Sequence, residues 1–211
     1  STLPALLLAI PVIFAPEIRR ALERLGRAGT FVTGSGQPQQ ADIVKVIHAV
    51  VEASRRLSAR QHGALIIMQR TDSLAQYAET GVQLHAQVTP ELLLQIFYPD
   101  TPLHDGGVII ADGKVAAAAC VMPLSASGIL TRNPERQMGL RHRAALGSSE
   151  VSDAVSVVVS EQSGSISIAH AGRMIRRIDP ERLENILVAF YQTDVSTPRK
   201  AWFQRFFRRN K

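Results

Sequence analysis

The stretch LHDGGVIIADGKVAAAACVM, residues 103–122, decides the fold. Its apolar runs, Val108 to Ala111 and Val115 to Met122, flank Asp112-Gly113, a dipeptide suited to the left-handed backbone of a two-residue hairpin turn. Two antiparallel strands are therefore predicted. His104 and Asp105 stand at the mouth of the first strand with Gly106 and Gly107 behind them, a carboxylate and an imidazole beside bare backbone. A second stretch, Gly139-Leu140-Arg141-His142-Arg143, sets three basic side chains in a row just before the helix-like Ala144-Ala145-Leu146. Arg141 and Arg143 can grip phosphate oxygens in forked geometry, with His142 between them. An acid able to hold a divalent metal and a basic triplet able to hold a polyphosphate together point to a nucleoside triphosphate site; neither alone does.

Working outward, Ala64 to Met68 is a short apolar run bounded by Gly63 and Arg70, the pattern of a strand buried on both faces. Before it, Ile43, Val46, Ile47, Val50, Val51 and Leu57 recur every three or four residues, an amphipathic helix capped by Asp42. Ser73 to Thr80 reads as a short helix ended by Gly81, and Thr89-Pro90-Glu91 caps another from Leu92 to Phe97. Pro99 and Pro102 then break the chain ahead of His104. Past the hairpin, Pro123-Leu124-Ser125 ends the second strand and residues 125–137 form a polar surface loop. The chain continues as a helix from Ala144 to Asp153, with Gly147 weakening it. Strands Ala154 to Ser160 and Ser165 to Ala169 follow, joined by Glu161-Gln162-Ser163-Gly164. A strand at Met174 to Ile178 and a helix from Pro180 to Tyr191 complete the pattern. Strands alternating with helices, plus adjacent hairpins, predict a single α/β domain with a central mixed sheet flanked by helices, preceded by a helical extension.

The chain has 211 residues, 45% hydrophobic and 20% charged, which is ordinary globular composition. The single Cys120 excludes an internal disulfide, lies in an apolar run and fits a reducing cytosol. The net charge of +6 does not read as nucleic-acid binding, because the positive charge collects near the ends, at Arg19, Arg20, Arg24 and Arg27 and at Arg205, Arg208, Arg209 and Lys211. Leu3 to Ala15 is an apolar run of 13 residues, short of the roughly 20 that span a bilayer as a helix. It lacks the marks of a secretory signal. With Ser1 at the start, it reads as the end of a membrane segment inside a longer protein. Pro16 and Glu17 open a connecting helix whose arginines suit the cytoplasmic side. The predicted divisions are residues 1–33 for membrane end and connecting helix, 34–40 for a linker, 41–195 for the catalytic domain and 196–211 for a basic aromatic tail. That tail suits either an anionic membrane surface or a solvated terminus.

The strings PLHDGGVII (102–110) and GLRHRAALGSSEVSDA (139–154) resemble the two signature motifs of the diadenylate cyclase family, which condenses two ATP molecules into cyclic di-AMP. The resemblance runs from about Ala41 to Ile178. It includes GALIIMQR (63–70), residues 79–106 and VVVSEQSGSISIA (157–169), and is nearest the membrane-linked type of that family. Two positions depart from it. The family usually has alanine where this chain has Gly107, and threonine where it has Leu140, which removes a hydroxyl facing the nucleotide.

The resemblance implies two ATP substrates, each presenting its 3′-hydroxyl to the other's α-phosphorus. Asp105 then helps deprotonate the hydroxyl, as general base or as a metal-linked group that lowers the hydroxyl pKa, although an aspartate before glycine is also a common turn former. Arg141, His142 and Arg143 become the phosphate clamp, and His104 and Glu161 the ligands of Mn²⁺ or Mg²⁺. Gly106, Gly107 and Leu140 border the nucleotide. Ser160, Ser163, Gly164 and Ser165 offer hydroxyls and backbone N–H groups to the phosphates, or are an ordinary hairpin turn. Met122 and Leu124 resemble the base-binding segment, though core packing explains them equally. With one copy of each motif per chain, the resemblance implies a transient face-to-face homodimer at the cytoplasmic side of the cell membrane. A module that binds nucleotide without turnover is the alternative, and Leu140 is what favours it.

Overall fold

The computed structural model describes residues 40–126 and 138–192. Strand β1 (Ala64–Met68) is the middle of a seven-stranded sheet, and all five of its residues are buried. On one side it pairs parallel with β3 (Gly107–Ala111), which pairs with β4 (Lys114–Cys120) and then with the edge strand β2 (Val82–Gln87). On the other side it pairs antiparallel with β5 (Val155–Val159), followed by β6 (Ile166–His170) and the edge strand β7 (Arg173–Ile178). The mixed sheet expected from the sequence is observed, as is the tight hairpin at Asp112-Gly113, and a second tight hairpin, not expected, joins β6 to β7. Asp112 and Gly113 have φ of 51° and 74°, and Ala171 and Gly172 have φ of 49° and 69°, the left-handed pairs that a two-residue turn demands.

Alternation along the central strands divides the core in two. Ile66, Met68, Val108, Ile110, Val155, Val157, Ile166 and Ile168 pack against α1 (Gln40–Arg60), α3 (Pro90–Ile96) and α5 (Pro180–Gln192). Leu65, Ile67, Ile109, Val158 and Ala169 face the opposite way, toward α2 (Ala75–Ala78) and α4 (Leu140–Val151). The second layer is built from small side chains. Ala144, Ala145, Gly147, Ser148 and Ser149 of α4 are buried, so this helix lies close to the sheet. A Cβ on Gly147 would stand 2.2 Å from the Pro123 carbonyl oxygen, so this glycine permits close packing and does not break the helix.

Several boundaries differ from the sequence reading. Asp42 lies inside the first turn of α1, where it pairs with Lys45 at 3.3 Å, and does not cap it. Helix α4 begins at Leu140, so the basic triplet forms its first turn and does not precede it. Strand β2 was not anticipated. It is an edge strand whose residues are exposed or half-buried: Val82, Leu84 and Ala86 alternate with Gln83, His85 and Gln87, Leu84 packs on the core, and a left-handed His85 shifts the register midway. Thr89 caps α3 as expected, accepting from the Leu92 N–H at 3.1 Å. The expected membrane end, the connecting helix, the linker, most of the loop at 125–137 and the basic tail lie outside the described residues. Among the described residues no helix is long and apolar enough to cross a membrane.

Candidate functional site

The strand directions decide where the site lies. Because β3 is parallel to β1 while β4 and β5 run against their neighbours, the starts of β1, β3 and β6 share one end of the sheet with the ends of β4, β5 and β7. Gly63, the loop His104-Asp105-Gly106, the segment after Cys120 and the turn at 160–165 therefore gather along one rim, although they are far apart in sequence. The opposite rim is closed structurally. There Asp153 accepts from the Thr71 and Asp72 N–H groups, and Asp72 accepts from the Asp153 N–H at 3.1 Å.

The first turn of α4 arrives over that rim and joins its parts. Arg141 donates through Nη1 to Glu161 Oε2 at 2.5 Å and through Nη2 to the His104 carbonyl at 3.4 Å. One guanidinium thus links the loop before β3 to the turn after β5. It lies against Gly63, where a Cβ would stand 2.7 Å from Arg141 Nη1 and 3.0 Å from Glu161 Cβ. The sequence placed Gly63 only at the edge of a strand and gave it no part in the site, because nothing local marks a glycine whose neighbours come from elsewhere in the chain. Arg143 turns toward the other side. Its Nε donates to the Ser125 carbonyl at 3.1 Å, and Ser125 N–H donates back to the Arg143 carbonyl at 3.0 Å. The Ser125 hydroxyl donates to Glu150 at 2.7 Å, fixing the segment that leaves β4.

Helix α4 also brings its dipole. Gly139 at the N-cap offers no side chain to the first-turn N–H groups, so the positive end of a 12-residue helix is open on the side where the basic triplet stands. His142 is half-buried, and its imidazole is held below the usual histidine range, mainly by burial and then by the positive charge of Arg176.

Asp105 is exposed, and its carboxylate has no hydrogen-bond or ion-pair partner among the described residues. Gly106 behind it has φ +107°, and a Cβ there would meet Ala119 C and Cys120 O at 2.8 Å. Ala119 itself is left-handed, φ 54°, at the irregularity where the β3–β4 register shifts. The Asp105 loop is therefore seated on a bulge in the neighbouring strand. Gly107 is different: a Cβ would meet only side-chain atoms, Ile67 Cδ1 at 2.6 Å and Met122 Cγ at 3.1 Å.

His104 Nδ1 lies 2.5 Å from the Thr101 carbonyl oxygen. A carbonyl only accepts, so Nδ1 is the donor, and in the neutral imidazole Nε2 is left with the lone pair. This is the arrangement of a metal-ready histidine. Glu161 supplies a carboxylate, already shared with Arg141. The two residues touch the same guanidinium and offer one nitrogen and one oxygen ligand. No group of three or more His, Cys, Asp or Glu converges among the described residues.

In the turn at 160–165, Ser163 and Ser165 hydroxyls bond to each other at 2.8 Å, the Ser163 N–H donates to Ser160 Oγ, and the Gly164 carbonyl accepts from Ser58 Oγ at 2.6 Å. The turn stands at the site end of the sheet, held by its own hydroxyls. Met122 is buried against the Gly107 position, whereas Leu124 and Leu140 are about half and two-thirds exposed at the rim. Cys120 is buried beneath, its thiol pushed up to about 11 by desolvation, so it stays a neutral packing group.

The family described as DisA bacterial checkpoint controller nucleotide-binding, DAC, matches residues 51–174, more than half of the chain. The chain belongs to the DAC family. It is 43% identical over 199 residues to the cyclic di-AMP synthase CdaA of Bacillus subtilis, covering 94% of this chain and 71% of that protein. It is also 43% identical over 181 residues to a diadenylate cyclase of Listeria monocytogenes, covering 86% of this chain and 64% of the relative. A crystal structure of a double mutant of DacA from Staphylococcus aureus superposes with a TM-score of 0.65 at 41% identity, over 70% of this chain and 95% of that one. The DAC match takes in the whole rim, from Gly63 to the turn at 160–165, and both arginines of the triplet.

Proposed function

We propose that this chain is the catalytic part of a diadenylate cyclase, joining two ATP molecules into cyclic di-AMP with release of two pyrophosphates. The observation that carries the reading is the meeting of the unpartnered Asp105 carboxylate with the open, basic N-terminus of α4 across Gly63 and Glu161. The α4 N–H groups, Arg141 and Arg143 bind the triphosphate and offset its charge. Asp105 accepts the proton of a 3′-hydroxyl as its oxygen bonds to the α-phosphorus of the second ATP. The bond from that phosphorus to the bridging oxygen of pyrophosphate breaks, and pyrophosphate leaves with the electron pair. His104 Nε2 and Glu161 would hold Mn²⁺ or Mg²⁺ together with phosphate oxygens and water, and the ion when bound supplies positive charge at the reacting phosphate. Exposed Leu140 and Leu124, with Met122 beneath, line an apolar rim suited to a base.

The reaction needs two nucleotides facing each other, and the chain carries one set of these residues. The active species is therefore a face-to-face pair of chains, brought together at the cytoplasmic face of a membrane in the longer protein. Incubation with ATP and Mn²⁺ or Mg²⁺, followed by chromatography, should yield a cyclic dinucleotide and pyrophosphate. ATP binding with no product under any divalent metal would instead support a nucleotide-binding module without turnover, the reading favoured by a leucine at position 140.

A further inference from the structure

Beyond the triplet, a third arginine faces the same site. Register pairs Ser167 with Arg176 and Ala169 with Met174, and the strand then bulges at Arg177, φ 55°. Since Ala169 and Met174 pack on the α4 side of the sheet, alternation puts Arg176 on that side too, near the end of β7 that lies at the site rim. Helix α4 packs across β7. The positive charge of Arg176 reaches His142 in the first turn of α4. Of the guanidinium groups at this end, Arg141 is committed to Glu161 and the His104 carbonyl, and Arg143 through Nε to the Ser125 carbonyl. Arg176 is exposed and has no hydrogen bond or ion pair to any described residue. Glu161, already paired with Arg141, is the one acid in hydrogen-bond contact with these arginines among the described residues. Cations gathered with so little compensation repel one another unless an anion joins them.

We propose that Arg176 is a further phosphate-binding residue, taking the outer phosphates of the nucleotide and the pyrophosphate that leaves. The inference rests on the nucleotide reading of the site. Its guanidinium reaches the anion from the β7 side, opposite Arg143, so the polyphosphate is held between two forks with the α4 N-terminus beneath it. Arg177, on the bulge beside it, takes no part.

Titration calorimetry with inorganic pyrophosphate and with AMP, on the unaltered chain, Arg176→Ala, Arg176→Lys and Arg177→Ala, tests this directly. Arg176→Ala should weaken pyrophosphate roughly ten- to hundredfold, the worth of one or two charge-assisted hydrogen bonds. AMP affinity should stay within about twofold, Arg176→Lys should recover part of the loss, and Arg177→Ala should match the unaltered chain. Pyrophosphate affinity unchanged in Arg176→Ala, an equal loss for AMP, or an equal loss in Arg177→Ala would each overturn the assignment. A chain that turns over no ATP refutes the cyclase reading but leaves the pyrophosphate titration able to decide the role of Arg176.

Discussion

Asp105 and His142 stand on neighbouring elements and are held in opposite ways, one exposed without a partner, the other half-buried beside a cation. If Asp105 takes the hydroxyl proton, Asp105→Asn should abolish product while ATP affinity stays within several-fold, because the lost interaction belongs mainly to the transition state. Product formation at the unaltered rate would sink that role. His142 gives a pH prediction. Its folded value lies below the ordinary 6.5, so between the two values the unfolded chain binds the extra proton. Its contribution is complete above about 6.5 and is lost as pH falls toward the folded value. His142→Gln should flatten the fall in denaturant-measured stability across that window, and Arg176→Ala should raise the imidazole midpoint seen by NMR without restoring it fully, burial being the larger cause. At this scale the sequence marked Asp105 and the triplet as candidates, since residue type and a short spacing carry that signal. Gly63 and Arg176 carried no such mark, because their place beside the candidate site comes only through neighbours supplied by distant strands.

Among the elements, the β3–β4 hairpin was readable from Asp112-Gly113, where local backbone preference and apolar alternation agree. Strand β2 was not, since its short alternation of Val82, Leu84 and Ala86 with Gln83, His85 and Gln87 is broken by a bulge at left-handed His85 and lies on a largely exposed edge. The start of α4 was misplaced for a related reason. A glycine N-cap followed by a leucine and three basic residues looks like loop, and only packing over the rim makes that turn helical. The two adjacent glycines before β3 separate space from conformation. Gly106→Ala would need a left-handed φ and meets backbone atoms, so it should cost about 2 kcal/mol or more and disturb the Asp105 loop. Gly107→Ala meets only the flexible ends of Ile67 and Met122 and should cost about 1 kcal/mol or less. Chemical denaturation of both variants checks the order; equal costs would contradict the seating of the loop on the Ala119 bulge.

For the whole molecule, the requirement for two nucleotides predicts that specific activity rises with protein concentration and levels off above the dimer dissociation constant. Sedimentation at the same concentrations supplies the check, and a flat specific activity where only monomer sediments would refute a shared site. The central place of β1 has a further consequence, in folding. Ile66 must find both Val108 and Val157 before its strand is satisfied, so the sheet closes through long-range pairings that are slow to form. The Arg141–Glu161 contact spans the same gap. A nascent chain that has not yet delivered β5 therefore lacks the proposed nucleotide site, and if ATP binds there, only to the finished sheet, it should raise the stability of the whole fold by mass action and leave partly folded chains unprotected.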